Sequence, residues 1–265
     1  MGDNNIIEAI ANRVWDVFSL VNGNPDYGFS TIRFSISLFF LFLLYFVIRM
    51  RVISSYQTKH IVAMAGIIFM IFREATMLVL MTGWEIKIFY DPIIHTLWPP
   101  IEHGFEGLSF LCLMWYSVET AKLYKVAYYI NKFKYAILSL YGIFCIYAVV
   151  VWKNFFISKY PNLLYSYKEC MIDWQSHGII SIMCSVGFYA AFQKQAKYLM
   201  FFWGITLFEH FTRTMVYYAH FETSEIATIF HAIHTWSLPF LILHFVDTYV
   251  TKITNCGVCR REILL

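Results

Sequence analysis

The sequence predicts an all-α integral membrane protein, a seven-transmembrane-helix bundle with its N-terminus outside the cytoplasm and its C-terminus inside. Three observations predict it. Of 265 residues, 59% are hydrophobic and 14% charged, and the mean hydropathy is +0.57, far from the mix of a soluble domain. The apolar runs are long enough to cross a hydrocarbon core of roughly 30 Å, and the lysines and arginines between them alternate in density from one side to the other. These runs leave no room for a soluble catalytic domain. The composition requires a lipid bilayer as partner, and no basic block marks a nucleic-acid partner.

Residues 1–30 read as an extracytoplasmic segment. Ile7, Ile10, Val14, Val17 and Phe18 fall near helical spacing, so Ile6 to Leu20 is expected to be an amphipathic helix along the interface. It lacks the basic start and compact apolar core of a cleaved signal. Residues 31–250 form the membrane domain, with spans expected at 31–48, 61–82, 101–121, 134–152, 173–192, 197–219 and 225–250. Loops are expected at 83–100, which carries Pro92, Pro99 and Pro100, and at 153–172. Pro239 falls within the last span, where it is compatible with a kink. Residues 251–265 form a short basic cytoplasmic tail whose Cys256 and Cys259 are half a zinc site, a reduced pair or an acylation site.

The direction of each span follows from the positive-inside rule. An outer N-terminus places Arg49, Arg51, Lys59, Lys122, Lys125, Lys132, Lys134, Lys194, Lys197, Lys252, Arg260 and Arg261 inside. Trp84, Trp98, Trp152 and Trp174 then fall near outer span ends, as an aromatic belt would. Such a multi-pass chain fits a bacterial cytoplasmic membrane.

With direction set, a rise of about 1.5 Å per residue gives depth. Arg73 and Glu74 lie just past the middle of the second span, and Glu102, His103 and Glu106 in the outer turns of the third. His177 is near the outer end of the fifth, Glu209, His210 and Arg213 in the outer half of the sixth, and His231 and His234 in the outer half of the seventh. Residues three and four apart share a helix face, so Glu102 with Glu106, Glu209 with Arg213, and His231 with His234 make coherent stripes. Ionisable groups at this depth face the bundle or a wet cavity rather than lipid. A polar pocket reached from outside is therefore expected. The plainer alternative is that Arg73 with Glu74 and Arg213 with Glu209 are structural ion pairs, and that His177 is a hydrogen-bonding residue only.

Imidazole and carboxylate are the ligand set for zinc, iron or copper ions. His103, Glu106, Glu209, His210, His231 and His234 are the candidate metal ligands; Arg73, Glu74, Glu102, His177 and Arg213 are candidate binders of a small polar or anionic ligand. Haem b, held by two of these histidines, is a further alternative. The last span has no lysine at mid-depth for a retinal Schiff base, and the chain lacks the two matching halves of many transporters.

The stretches FREATMLVL at 72–80, WPPIEHGFEGLSF at 98–110, LFEHFTR at 207–213 and FHAIHTWSLPFLILHFVDTYV at 230–250 together resemble the seven-helix N-terminal sensor regions of bacterial membrane histidine kinases. The resemblance implies a sensor or receptor that passes ligand binding to a cytoplasmic signalling partner. Only TKITNCGVCRREILL follows Val250, where such proteins continue into a kinase or cyclase domain. The chain is thus expected to be the sensor part alone or a standalone module. A membrane metalloenzyme or redox protein using the same residues is the alternative.

Overall fold

A computed structural model describes residues 27–54, 56–85, 92–159, 165–218 and 224–255. Among them are seven helices: α1 Tyr27–Ser54, α2 Thr58–Glu85, α3 Pro92–Thr120, α4 Tyr124–Lys159, α5 Tyr165–Lys194, α6 Lys197–Tyr218 and α7 Ser224–Asn255. Three contain stretches long and apolar enough to cross a membrane, Phe34–Ser54, Thr58–Leu78 and Tyr124–Val151. The outward faces agree with a lipid environment. Phe39, Phe42 and Phe46 on α1, Ile143 and Ile146 on α4, and Phe201 and Phe208 on α6 all expose much of their side chains, more apolar surface than a soluble monomer leaves in water. The segment 1–26, the Cys256/Cys259 pair and the side chains of Trp84, Trp98 and Trp152 lie outside the described residues.

Several helices run beyond the expected spans. α3 begins at Pro92 rather than 101, α4 ends at Lys159 rather than 152, and α5 begins at Tyr165 rather than 173, which shortens both expected loops. Hydropathy marks only the apolar part of a helix; backbone hydrogen bonding carries the helix on into the polar residues beyond it. Pro92 heads α3, where its missing N–H is no loss. α7 runs unbroken through Pro239.

The helices close into a ring. α1 packs on α2, α2 on α3, α3 on α5, α5 on α6, α6 on α7, and α7 returns to α1. α4 stands outside this ring, mainly against α3, with 11% of its Tyr124–Val151 stretch buried against 39% for the corresponding stretch of α2. The core runs down the ring's axis through Leu41, Leu44, Ile67, Phe110, Phe202, Trp203, Leu238 and Phe245. Trp203 donates from Nε1 to Ser117 Oγ at 2.9 Å, so its one polar atom is satisfied inside the core.

Two glycines allow close contact. A Cβ at Gly107 would collide with the hydroxyl of Tyr141, the residue through which α4 grips α3, and one at Gly187 would enter the Trp203 ring. Small residues are how helices approach closely where no hydrophobic force drives them together in lipid. The turns after α3 and α5 share one geometry. Leu123 N bonds to Val118 O and Lys122 N to Glu119 O, while Ala196 N bonds to Ala191 O and Gln195 N to Phe192 O. Lys122 and Gln195 each take the left-handed conformation, φ 55°, at the position where a Schellman cap usually has glycine.

Candidate metal centre

Five helices of the ring bring ten ionisable side chains together, none more than 3% exposed: Arg73 and Glu74 from α2, Glu102, His103 and Glu106 from α3, His177 from α5, Glu209, His210 and Arg213 from α6, and His234 from α7. The polar stripes expected on α3 and α6 turn inward, as does His234 on α7. His231 lies one turn before His234 in α7, and its side chain is outside the described residues. Glu102, the first residue of the α3 stripe, is buried as well. His60 and His244 stand apart at the other end of the bundle, around Tyr116, whose Oη lies 3.0 Å from His244 Nε2.

Arg73 organises the side nearest α2. Its Nη1 lies 2.5 Å from Glu74 Oε1, and its Nη2 lies 2.6 Å from Glu102 Oε1 and 3.3 Å from Glu106 Oε1. One guanidinium thus serves three carboxylates, a use for which its planar fork of donors is suited. Across the ring, Arg213 Nη1 is 3.5 Å from Glu209 Oε1, and the guanidinium sits 5.7 Å from the centre of the Phe230 ring. Both arginines therefore face carboxylates within the cluster.

The centre of the cluster has a different character. Glu106, His210 and His234 each place one donor atom within 4.8 Å of the others. The Nε2 atoms of His210 and His234 are buried and have no hydrogen-bond partner, an arrangement that costs free energy unless something occupies those lone pairs. Two of the three side chains, Glu106 and His210, are braced from behind by hydrogen bonds, and the third, His234, faces a carboxylate at a longer distance. His103 Nδ1 lies 3.2 Å from Glu106 Oε2, His177 Nδ1 lies 2.9 Å from His210 Nδ1, and Glu209 Oε2 lies 3.5 Å from His234 Nδ1. Metal-ligating imidazoles are commonly held this way, one nitrogen toward a carboxylate or other acceptor and the other free to coordinate. Ligand atoms of a tetrahedral zinc site stand about 3.3 Å apart, so side-chain rotations of about an ångström bring these three to a common centre.

Charge points the same way. The cluster holds four carboxylates (Glu74, Glu102, Glu106, Glu209) and two guanidiniums (Arg73, Arg213), all buried. With neutral imidazoles the sum is 2 − 4 = −2. An uncompensated charge of that size in a low-dielectric interior is costly, and one divalent cation cancels it.

Of the six side chains expected as ligands, Glu106, His210 and His234 meet; His103 and Glu209 stand behind them. His177, expected to bind ligand or merely to hydrogen-bond, backs His210. Two contributors were not foreseen. Phe110 packs edge-on against His210 and His234, with ring centres 5.0 and 6.0 Å away, and its position four residues after Glu106 could have placed it on that face. Tyr141 reaches from α4, its hydroxyl 3.1 Å from the carbonyls of His103 and Gly104; nothing in its local sequence indicates this.

Comparison of the chain with protein-family models, with curated proteins and with solved structures finds no match.

Proposed function

We propose that the chain is a seven-span protein of a bacterial cytoplasmic membrane, N-terminus out and C-terminus in. It holds a divalent transition-metal ion at Glu106, His210 and His234 and serves as a sensor module. The observation that carries this reading is the convergence of those three donors with the Nε2 atoms of both imidazoles buried and without partners. Two imidazoles and one carboxylate suit Zn²⁺ or Fe²⁺. Haem suits the site less well. Phe110 packs on both histidines and Glu106 stands within 4.8 Å of them, so a porphyrin between the rings would have to displace both.

The signalling part rests on which helices supply the ligands. Occupancy ties α3 to α6 and α7, and α7 also packs against α1. An ion that binds one packing of these helices better than another shifts their equilibrium by its difference in affinity. The inner end of α7 would carry that shift to a cytoplasmic partner.

A membrane metalloenzyme is the second reading, favoured by one observation: three protein ligands are the number found in catalytic zinc sites, where the fourth position takes water or substrate. The same experiment addresses both. Protein purified in mild detergent, without chelator or polyhistidine tag, is assayed for metals by mass spectrometry beside the double variant His210→Ala/His234→Ala. Circular dichroism and gel filtration establish that both are folded. One equivalent of metal in the wild type and none in the variant is the expected result. Equal contents, or no uptake by wild type after incubation with Zn²⁺ or Fe²⁺, would sink the assignment. Spin labels at Tyr56 and Thr251, in a background without native cysteines, then separate the readings: a metal-dependent distance change supports the sensor, an unchanged distance the enzyme.

A further inference from the structure

At the opposite end of the ring a cavity of about 680 Å³ opens between the last turns of α1, α3, α5 and α7 and the first turn of α6. Lys197, in that first turn, and Asp247, in α7, are each thirteen residues from His210 and His234 respectively, so the cavity lies about 20 Å from the metal centre. We propose that this cavity binds a phosphate-bearing anion.

Its charge is the first argument. Arg51, Lys194 and Lys197 line it with a single carboxylate, Asp247, a sum of 3 − 1 = +2 with His244 neutral. Lys59 at the start of α2 and Lys122 just past the end of α3 add positive charge at the same helix ends, with Glu119 in the last turn of α3. A positive-inside bias alone would scatter such charges over the surface. Here helix ends distant in sequence gather them around one hollow.

The second argument is that the lining is built rather than loose. Arg51 is buried, with its guanidinium 5.9 Å from the centre of the Tyr249 ring. His244, also buried, is fixed by Tyr116. The Schellman turn at Gln195 aims the start of α6 at the cavity, and Gln195 and Tyr198 line it. The Ala196 carbonyl accepts the first bond of that helix from Met200 N, which leaves the amides just before Met200 without partners in the helix. Backbone N–H groups and the positive end of the dipole thus add to the cations. The volume exceeds that of a phosphate group and falls within the range of small-molecule sites, so it accommodates an ester as well.

Two sources share this chemistry. The apolar stretch of α1 ends at Ser54 and that of α4 begins at Tyr124, which sets the cavity at headgroup level in a bilayer. An anionic phospholipid or a soluble phosphate could therefore reach it. The protein is reconstituted in nanodiscs of phosphatidylcholine with or without phosphatidylglycerol. Retained lipid is read by native mass spectrometry; in the phosphatidylcholine-only discs, radiolabelled inorganic phosphate is measured by equilibrium dialysis. Lys194→Gln/Lys197→Gln removes two cations from the cavity, and Lys125→Gln/Lys132→Gln removes the same charge from exposed positions on α4. The expected result is saturable binding of one probe, weakened about tenfold in the first variant and little changed in the second. Phosphatidylglycerol retention identifies the lipid source, and inorganic phosphate binding the soluble one. Equal weakening in both variants would reduce the effect to general surface charge and overturn the proposal, as would binding of neither probe by the folded wild type.

Discussion

The Nδ1 atoms of His177 on α5 and His210 on α6 lie 2.9 Å apart. Two neutral imidazoles at this distance share one proton, so one ring donates and the other accepts. Coordination through His210 Nε2 requires that nitrogen's lone pair, which places the His210 proton on Nδ1 and makes His177 the acceptor. His177 then selects the His210 tautomer without touching the ion. His177→Ala is expected to weaken metal binding about 10–100-fold in a chelator-competition titration, with stoichiometry at saturation unchanged. His177→Asn, which keeps an acceptor, should recover part of the loss. Unaltered affinity in the Ala variant would remove this role.

Arg73 neutralises three carboxylates, so its loss should be felt as stability before function. Arg73→Met leaves Glu74, Glu102 and Glu106 facing one another without their cation, and breaking such a buried pair costs about 3–5 kcal/mol. Adding Glu102→Gln removes one of the stranded charges. The double variant should be more stable than the single one in denaturant unfolding from detergent, and additive losses would mean the two groups are not coupled.

Metal removal gives a third measurement. An ion that binds the folded chain alone stabilises it by about 2.7 kcal/mol at a free concentration of 100 Kd. Chelation should lower the unfolding midpoint of the wild type, and Zn²⁺ or Fe²⁺ should restore it. His210→Ala/His234→Ala should respond to neither treatment.

The two Schellman turns carry side chains where glycine is the unstrained choice. Gln195→Gly and Lys122→Gly each relieve a left-handed residue at φ 55°. The penalty is about 1–2 kcal/mol per residue, partly offset by the extra freedom of glycine in the unfolded chain. A net gain of about 0.5–1 kcal/mol each is expected by unfolding in detergent, and a loss would mean the native side chains make contacts that outweigh the strain.

Much of this was legible in the sequence. Apolar runs located the helices because their length and composition favour continuous helix. The similar depth expected for Arg73, Glu106, Glu209, His210 and His234 along their predicted spans pointed to one cluster, because ionisable groups so placed gather inside a bundle. Which of them would meet was not legible. His177 has one ionisable residue at helical spacing, Asp173 four positions before it, yet its partner His210 comes from another helix. Glu209 and His210 are adjacent, yet one stands behind His234 and the other faces the centre, a difference set by helix rotation. The exclusion of α4 from the ring also left no trace, since its apolar run reads like those of α1 and α2.

The division of charge along the chain has a consequence for biogenesis. α2 and α3 carry Arg73 against Glu74, Glu102 and Glu106, while α5 to α7 carry Arg213 against Glu209 and three of the four clustered histidines. The cluster residues on α2 and α3 are thus two negative charges out of balance, and those on α5 to α7 are even. In the seven-span arrangement proposed above, those early carboxylates take up protons or stay beside water until His210 and His234 arrive and a cation can bind. Translation order makes the first helices dependent on the last ones, and a chain halted after α4 should remain with the insertion machinery rather than disperse into lipid.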